Sequence, residues 1–307
     1  MNDVNDGSES KDSNSKSLNF WTAAGKLPVA PAQVDVAAMT HAGLVRLKNE
    51  DHYLAVRGER SLQIMLTNLP DDLVASRFDE FAYGLAVADG VGGSGGGDVA
   101  SSTALMKLIY LVINTSDWIM RIIERQDADR VMERMSDRFL QVDEAVRALG
   151  ENDPSLIGMG TTLTVAISRN RDLFIGHIGD SRAYLLREGK LHQLTHDHTL
   201  AQALIDFGIA KPEDLATRAM RNVLTTCIGS TGERGDAEVQ RVDLQDGDQL
   251  LLCTDGLTEM VGDESIGATL GEADTADHAC KALIDLALSA GGLDNITVAL
   301  ARYRFPT

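Results

Sequence analysis

Three observations predict an α+β layered fold rich in antiparallel pairing. Short apolar strands come in tight pairs, with turn residues between them at Arg169–Asp172 and Arg187–Lys190. Helical periodicity falls in blocks rather than alternating with the strands, as a doubly wound parallel sheet would require. The 307 residues, 44% of them hydrophobic, are enough for one substantial core.

Residues 1–30 hold Asn2, Asn5, Asn14, Asn19 and five serines, with almost no apolar periodicity before Phe20. Such a stretch cannot bury enough surface to offset chain entropy, so a flexible tail is expected, followed by one folded domain over 31–307. Strands are expected at Val34–Thr40, Tyr53–Val56, Leu62–Thr67, Tyr83–Ala88 and Thr162–Ser168. Others are expected at Leu173–Ile178, Arg182–Leu186, Gln249–Thr254 and Ile296–Tyr303. Met132, Met135, Phe139, Val142, Val146 and Leu149 step by three and four, which predicts an amphipathic helix over Ala128–Leu149 lying on a sheet. Val99–Ile113 and Thr275–Ala290 read as further helices, and Asp117–Gln126 looks helical.

Charge and cysteine usage exclude whole classes. The formal charge is −18, from 28 Lys+Arg against 46 Asp+Glu. That argues against a nucleic-acid partner, whose phosphates are neutralised by Lys and Arg, and against an anionic membrane surface. Apolar runs such as Leu108–Ile113 are too short to span a bilayer, and the N-terminus lacks the basic start of a secretory signal. Cys227, Cys253 and Cys280 are odd in number, far apart and without CxxC spacing. They suit a packing role in a reducing cytoplasm.

The chemistry lies in the carboxylates. Asp89-Gly90, Gly179-Asp180, Asp255-Gly256 and Asp294-Asn295 stand at strand ends, and Asn49-Glu50-Asp51 opens the Tyr53 strand. Any one of these is an ordinary turn. Together, at one rim of a sheet, they would repel one another unless something positive sat among them. Oxygen-only clusters suit Mg²⁺ or Mn²⁺, whereas zinc prefers His or Cys. The glycine stretch Asp89–Gly97 contains a formal G-x-G-x-x-G. Asp89 would aim its charge at a dinucleotide pyrophosphate, and no second strand follows the helix, which weighs against a nicotinamide or flavin oxidoreductase.

Seven segments occur in a characteristic order: Gly43-Leu-Val-Arg46-Leu-Lys-Asn49-Glu50-Asp51, Val87-Ala-Asp89-Gly90-Val-Gly-Gly93, Gly158-Met-Gly-Thr161-Thr162, Gly179-Asp180-Ser-Arg182, Arg221-Asn222-Val-Leu224-Thr, Thr254-Asp255-Gly256-Leu257-Thr and Gly291-Gly-Leu-Asp294-Asn295-Ile-Thr297-Val. With them, over roughly residues 34–303, the chain resembles the metal-dependent serine/threonine protein phosphatases of type 2C in their compact bacterial form.

The resemblance implies a four-layer α-β-β-α sandwich, two mainly antiparallel sheets face to face with helices outside. It implies hydrolysis of phosphoserine and phosphothreonine by a hydroxide bridging two divalent ions, Mn²⁺ or Mg²⁺, without a covalent intermediate. By family pattern Asp89 bridges the ions, Asp255 and Asp294 complete one, and Glu50 with the Gly90 carbonyl holds the other. Asp180 with Asp255 matches a third, weaker site. Asp51 orients the attacking water, and Arg46 grips the substrate phosphate. Val91 stands where many eukaryotic members have a proton-donating His. The partners implied are phosphoproteins that a Ser/Thr kinase supplies. The alternative is a catalytically silent phosphoprotein-binding module on the same fold. Arg57–Glu80 is longer than compact relatives need, Ser116–Gly150 adds helical material, and Asp197–Arg221 matches the family's flap beside the metal site.

Overall fold

A computed structural model describes residues 32–69, 77–92, 96–114, 127–211, 214, 219–230 and 235–306. The tail expected over 1–30 and the helix expected over Asp117–Gln126 lie outside the described residues. In chain order come β1 (Gln33–His41), β2 (His52–Gln63), β3 (Arg77–Ala88), β4 (Gly90–Val91), α1 (Gly97–Ile113) and α2 (Asp127–Asn152). They are followed by β5 (Gly160–Thr161), β6 (Leu163–Arg169), β7 (Asp172–Ile178), β8 (Arg182–Arg187), β9 (Lys190–Gln193) and α3 (Leu200–Asp206). The last are β10 (Glu238–Asp243), β11 (Gln249–Cys253), α4 (Asp255–Thr258), α5 (Asp263–Glu272), α6 (Ala276–Ser289) and β12 (Ile296–Arg304).

Among the described residues two five-stranded antiparallel sheets form, ordered β1-β12-β11-β8-β9 and β10-β7-β6-β3-β2, with a small β4-β5 pair. Leu85, Val87, Leu173 and Ile175 of one sheet meet Leu185, Leu250, Leu252 and Ala299 of the other in the central core. Ala104, Leu108, Met135, Phe139 and Val142 pack α1 and α2 on the outer face of the second sheet. Ile266, Leu270, Ala279, Leu283 and Ile284 pack α5 and α6 on the outer face of the first. Four layers, helix–sheet–sheet–helix, result, because the central strands are buried on both faces while the long helices each bury one face against a sheet.

Both foreseen hairpins are present. Arg169 pairs with Asp172 and Arg187 with Lys190. The second turn has positive φ at both central residues, Glu188 (50°) and Gly189 (75°), which matches the twist of the flanking strands. The strand expected at Leu62–Thr67 does not exist separately. Instead β2 runs on to Gln63, because all twelve of its residues stay in register with β3, from His52↔Ala88 to Gln63↔Arg77. That long hairpin accounts for much of the Arg57–Glu80 excess. β9 and β10 escape a pattern reading because both are short, polar edge strands, where one side meets water. Among the described residues no helix is long and apolar enough to cross a membrane.

Candidate active site

Strand register brings the expected carboxylates to one rim. In one sheet the start of β2 lies opposite the end of β3, and the start of β6 opposite the end of β7. Asp51 and Asp89 therefore leave the same edge, beside the Gly179–Ser181 crossover that carries Asp180. In the other sheet the end of β11 meets the starts of β8 and β12, so Asp255 and Asp294 leave the matching edge. Asp51 and Asp180 are buried. Glu50, Asp89, Asp255 and Asp294 are half-buried.

Glu50, Asp51 and Asp89 are each held by partners far away in sequence. Thr254 donates its hydroxyl to Asp51 Oδ2 at 2.8 Å, and Thr254 in turn accepts from the Thr297 amide at 3.0 Å. The Asp89 amide donates to Thr162 Oγ1 (2.9 Å), while the Asp89 carbonyl accepts from the Thr162 amide and the Thr161 hydroxyl (2.8 Å each). Thr162 also shares a 2.7 Å hydrogen bond with Ser181, next to Asp180. The Glu50 amide donates to Asn295 Oδ1 (2.8 Å), and its carbonyl accepts from Ser101 of α1 (2.6 Å). Gly90 fits because it lacks a side chain: a Cβ there would lie 2.2 Å from the Gly97 carbonyl oxygen. The sequence motifs contain Thr162, Thr254 and Asn295 without revealing their roles, and Ser101 falls outside all of them. Adjacency to an acid was the available signal for Thr254 and Asn295, and Thr162 had none.

The electrostatics are those of crowded like charges. Burial, then Asp51, Asp255 and other neighbouring carboxylates, raise Asp89 well above the usual range. Burial and Asp180 do the same to Asp255. Asp51 is pushed up to about 6 and Asp180 to about 7, burial being the main cause in both. Two buried oxygens, Asp51 Oδ1 and Asp255 Oδ1, have no hydrogen-bond partner. Arg46 Nη2 donates to Asp294 Oδ2 at 2.5 Å. Among the described residues no three His, Cys, Asp or Glu side chains already form a chelating group. The carboxylates crowd one another without closing a cage, and Asp294 is engaged by Arg46.

His177, His196 and His198 take partners other than the rim carboxylates. His177 is fully buried between Thr164 (2.8 Å) and the His196 carbonyl (3.1 Å). His198 Nδ1 accepts from the Gly179 amide (3.2 Å), and His196 pairs with Asp206 at 2.7 Å on the surface. A cavity of about 360 Å³ opens beside the rim, lined by Asp180, Arg182, Asp197, Gln202, Asp255 and Glu259 among others. Arg182 grips Asp197 with both ends of its guanidinium, at 2.8 and 2.6 Å.

Comparison with known proteins points to one family. Residues 67–281 match the family described as Protein phosphatase 2C. The serine/threonine protein phosphatase PstP of Mycobacterium tuberculosis is 36% identical over 272 residues, 86% of this chain. The chain spans 44% of that relative's length. The serine/threonine phosphatase stp of Listeria monocytogenes is 36% identical over 214 residues, covering 70% of this chain and 82% of that protein. A crystal structure of the PstP catalytic domain in complex with two manganese ions superposes with a TM-score of 0.68. It is 31% identical and covers 89% of this chain and 99% of that one. The chain belongs to the protein phosphatase 2C family, and its fold is the four-layer sandwich of the bacterial members.

Proposed function

We propose that this chain hydrolyses phosphoserine and phosphothreonine in signalling phosphoproteins, with Mn²⁺ or Mg²⁺ as cofactor. One observation carries the reading: two buried carboxylate oxygens without partners, on Asp51 and Asp255, in a rim of converging acids beside Arg46. Burying such oxygens unpaired is costly, and a divalent cation relieves both the desolvation and the mutual repulsion. The donor set is all oxygen, which fits a hard cation.

Asp89 would be shared by two ions, Asp255 and Asp294 completing one and Glu50 with the Gly90 carbonyl the other. Asp180 with Asp255 would hold a third. Bound there, the ions would supply Lewis acidity that activates water for in-line attack and neutralises charge on the phosphoryl oxygens. Arg46 offers the phosphate two parallel donors once it leaves Asp294. Asp51, oriented by Thr254, is placed to accept a proton from the attacking water. No covalent phospho-enzyme is invoked. Cys253 and Cys280 are buried with thiols pushed up to about 12, so neither is a nucleophile. Val91 cannot donate a proton to the leaving oxygen. Three free thiols suit a cytoplasmic location. We assign catalysis to residues 31–307 and none to the 1–30 tail.

The test is Mn²⁺-dependent release of phosphate from a phosphothreonine peptide. An Asp89→Asn protein as active as the parent would overturn the reading. For a silent phosphoprotein-binding module no observation speaks, since every expected acid is present.

A further inference from the structure

The β1–β2 loop exposes large apolar side chains around Arg46. Leu44 is 65% exposed, Val45 61% and Leu47 fully exposed, and Leu293, beside Asp294, is 54% exposed. Single apolar residues on a surface need no explanation, but four that flank Arg46 and its partner Asp294 along the chain do. The loop is also held in place. Asn295 Nδ2 donates to the carbonyls of Ala42 (3.0 Å) and Lys48 (2.8 Å), closing its neck with one amide. The Leu44 amide donates to the Gly292 carbonyl at 2.7 Å, and Gly43, at φ 78°, passes so close to Asp294 that a Cβ would lie 2.2 Å from its carbonyl oxygen. A fixed loop loses little conformational entropy when it binds.

We propose that Leu44, Val45, Leu47 and Leu293 form the contact surface for the residue flanking the phosphorylated side chain, and that they select an apolar one. This rests on the phosphatase reading, because a phosphate held by Arg46 places the adjoining peptide against these four side chains. An apolar flanking residue there loses water contact together with the leucines. A lysine would be desolvated against side chains that offer it no acceptor. The net charge of −18 argues the other way, toward basic flanks. At physiological salt that field is screened within about 8 Å, so for the residue adjoining the phosphate the local contact dominates.

Two phosphothreonine peptides, identical except for leucine or lysine after the phosphothreonine, decide the matter in Mn²⁺ at 0.15 M salt, with p-nitrophenyl phosphate as a substrate that has no flanking residue. The expected parent preference for leucine is about fivefold in kcat/KM, expressed mainly in KM. Leu47→Lys and Leu44→Lys should each bring the ratio to about one or below. If the parent turns over both peptides equally or prefers lysine, the inference is wrong. It is equally wrong if both variants keep the parent's ratio. Aryl phosphate turnover separates the two levels: with it intact, only the flanking selectivity falls, and without it the phosphatase reading falls and takes this inference along.

Discussion

Arg46 and Asp294, 248 positions apart in sequence, are joined by a 2.5 Å hydrogen bond from Nη2 to Oδ2. The group proposed to grip phosphate is thus bonded to a carboxylate proposed to hold an ion, and the two roles exclude each other while the pair is closed. The Arg46 side chain is 57% exposed, so the pair is an accessible, exchangeable one of modest strength, about 1 kcal/mol or less.

Opposite effects of one substitution follow. Arg46→Ala should lower kcat/KM on a phosphopeptide by about 10² through loss of the phosphate fork. The same variant should bind Mn²⁺ up to about fivefold more tightly, because a competing cation has left Asp294. Isothermal titration against Mn²⁺ beside steady-state kinetics tests both arms. Weaker Mn²⁺ binding by the variant would show that Arg46 and the ion do not compete.

Removing metal exposes the repulsion at the rim. Asp51 and Asp180 bind protons more tightly folded, at about 6 and about 7, than a carboxylate at its ordinary 3.8. Their contribution is therefore fully present below about pH 4 and is lost as pH rises through 6 to 7. In EDTA the protein should melt at a higher temperature at pH 5.5 than at pH 8. Saturating Mn²⁺ should raise the melting temperature by several degrees at pH 8 and by less at pH 5.5, since ions and protons compete for the same oxygens. A metal-free melting temperature that is flat between these pH values would contradict the crowding.

His177 sets the opposite slope. Its Nε2–H donates to the His196 carbonyl, which can only accept, and its Nδ1 shares a hydrogen bond with the Thr164 hydroxyl. Burial pushes it down to about 3 from an ordinary 6.5. Below pH 6.5 the unfolded chain takes up a proton that the folded protein refuses, so this stability is lost as pH falls from 6.5 toward 3. His177→Gln removes that titration. The stability difference between parent and variant in urea should shrink by about 2 kcal/mol from pH 7 to pH 4.5. A difference independent of pH would mean that the ring titrates normally in the fold.

Legibility followed the range of the interaction. Strands such as Leu163–Arg169 and Ile296–Arg304 are readable because burial on both faces leaves them mostly apolar. Lys190–Gln193 and Glu238–Asp243 are not, since an edge strand is defined by the neighbour it pairs with and carries polar residues. In the site, the acids announced themselves as Asp-Gly and Asp-Asn turns at strand ends. Thr254 and Asn295 did not, because their bonds to Asp51 and Glu50 span 203 and 245 positions and appear only once the two sheets stack. The engagement of Asp294 by Arg46 was invisible for the same reason.

Two glycines with opposite surroundings give a last, paired prediction. A Cβ on Gly90 would lie 2.2 Å from the Gly97 carbonyl oxygen and 2.8 Å from that of Glu50, all backbone and unable to swing aside. Gly90→Ala must push β4 away from α1 and disturb the segment between Asp89 and Glu50, at a cost of about 2–3 kcal/mol and a loss of Mn²⁺ affinity of at least tenfold. Gly271, in α5, has no atom within 4 Å of the position a Cβ would take, and its φ is not positive. There alanine removes only the backbone freedom of glycine, so Gly271→Ala should leave Mn²⁺ affinity unchanged and stabilise by about 0.5–1 kcal/mol. Urea unfolding and Mn²⁺ titration of the two variants side by side test whether close backbone approach, rather than glycine's flexibility, holds the rim together. Equal Mn²⁺ affinity in both would rule that account out.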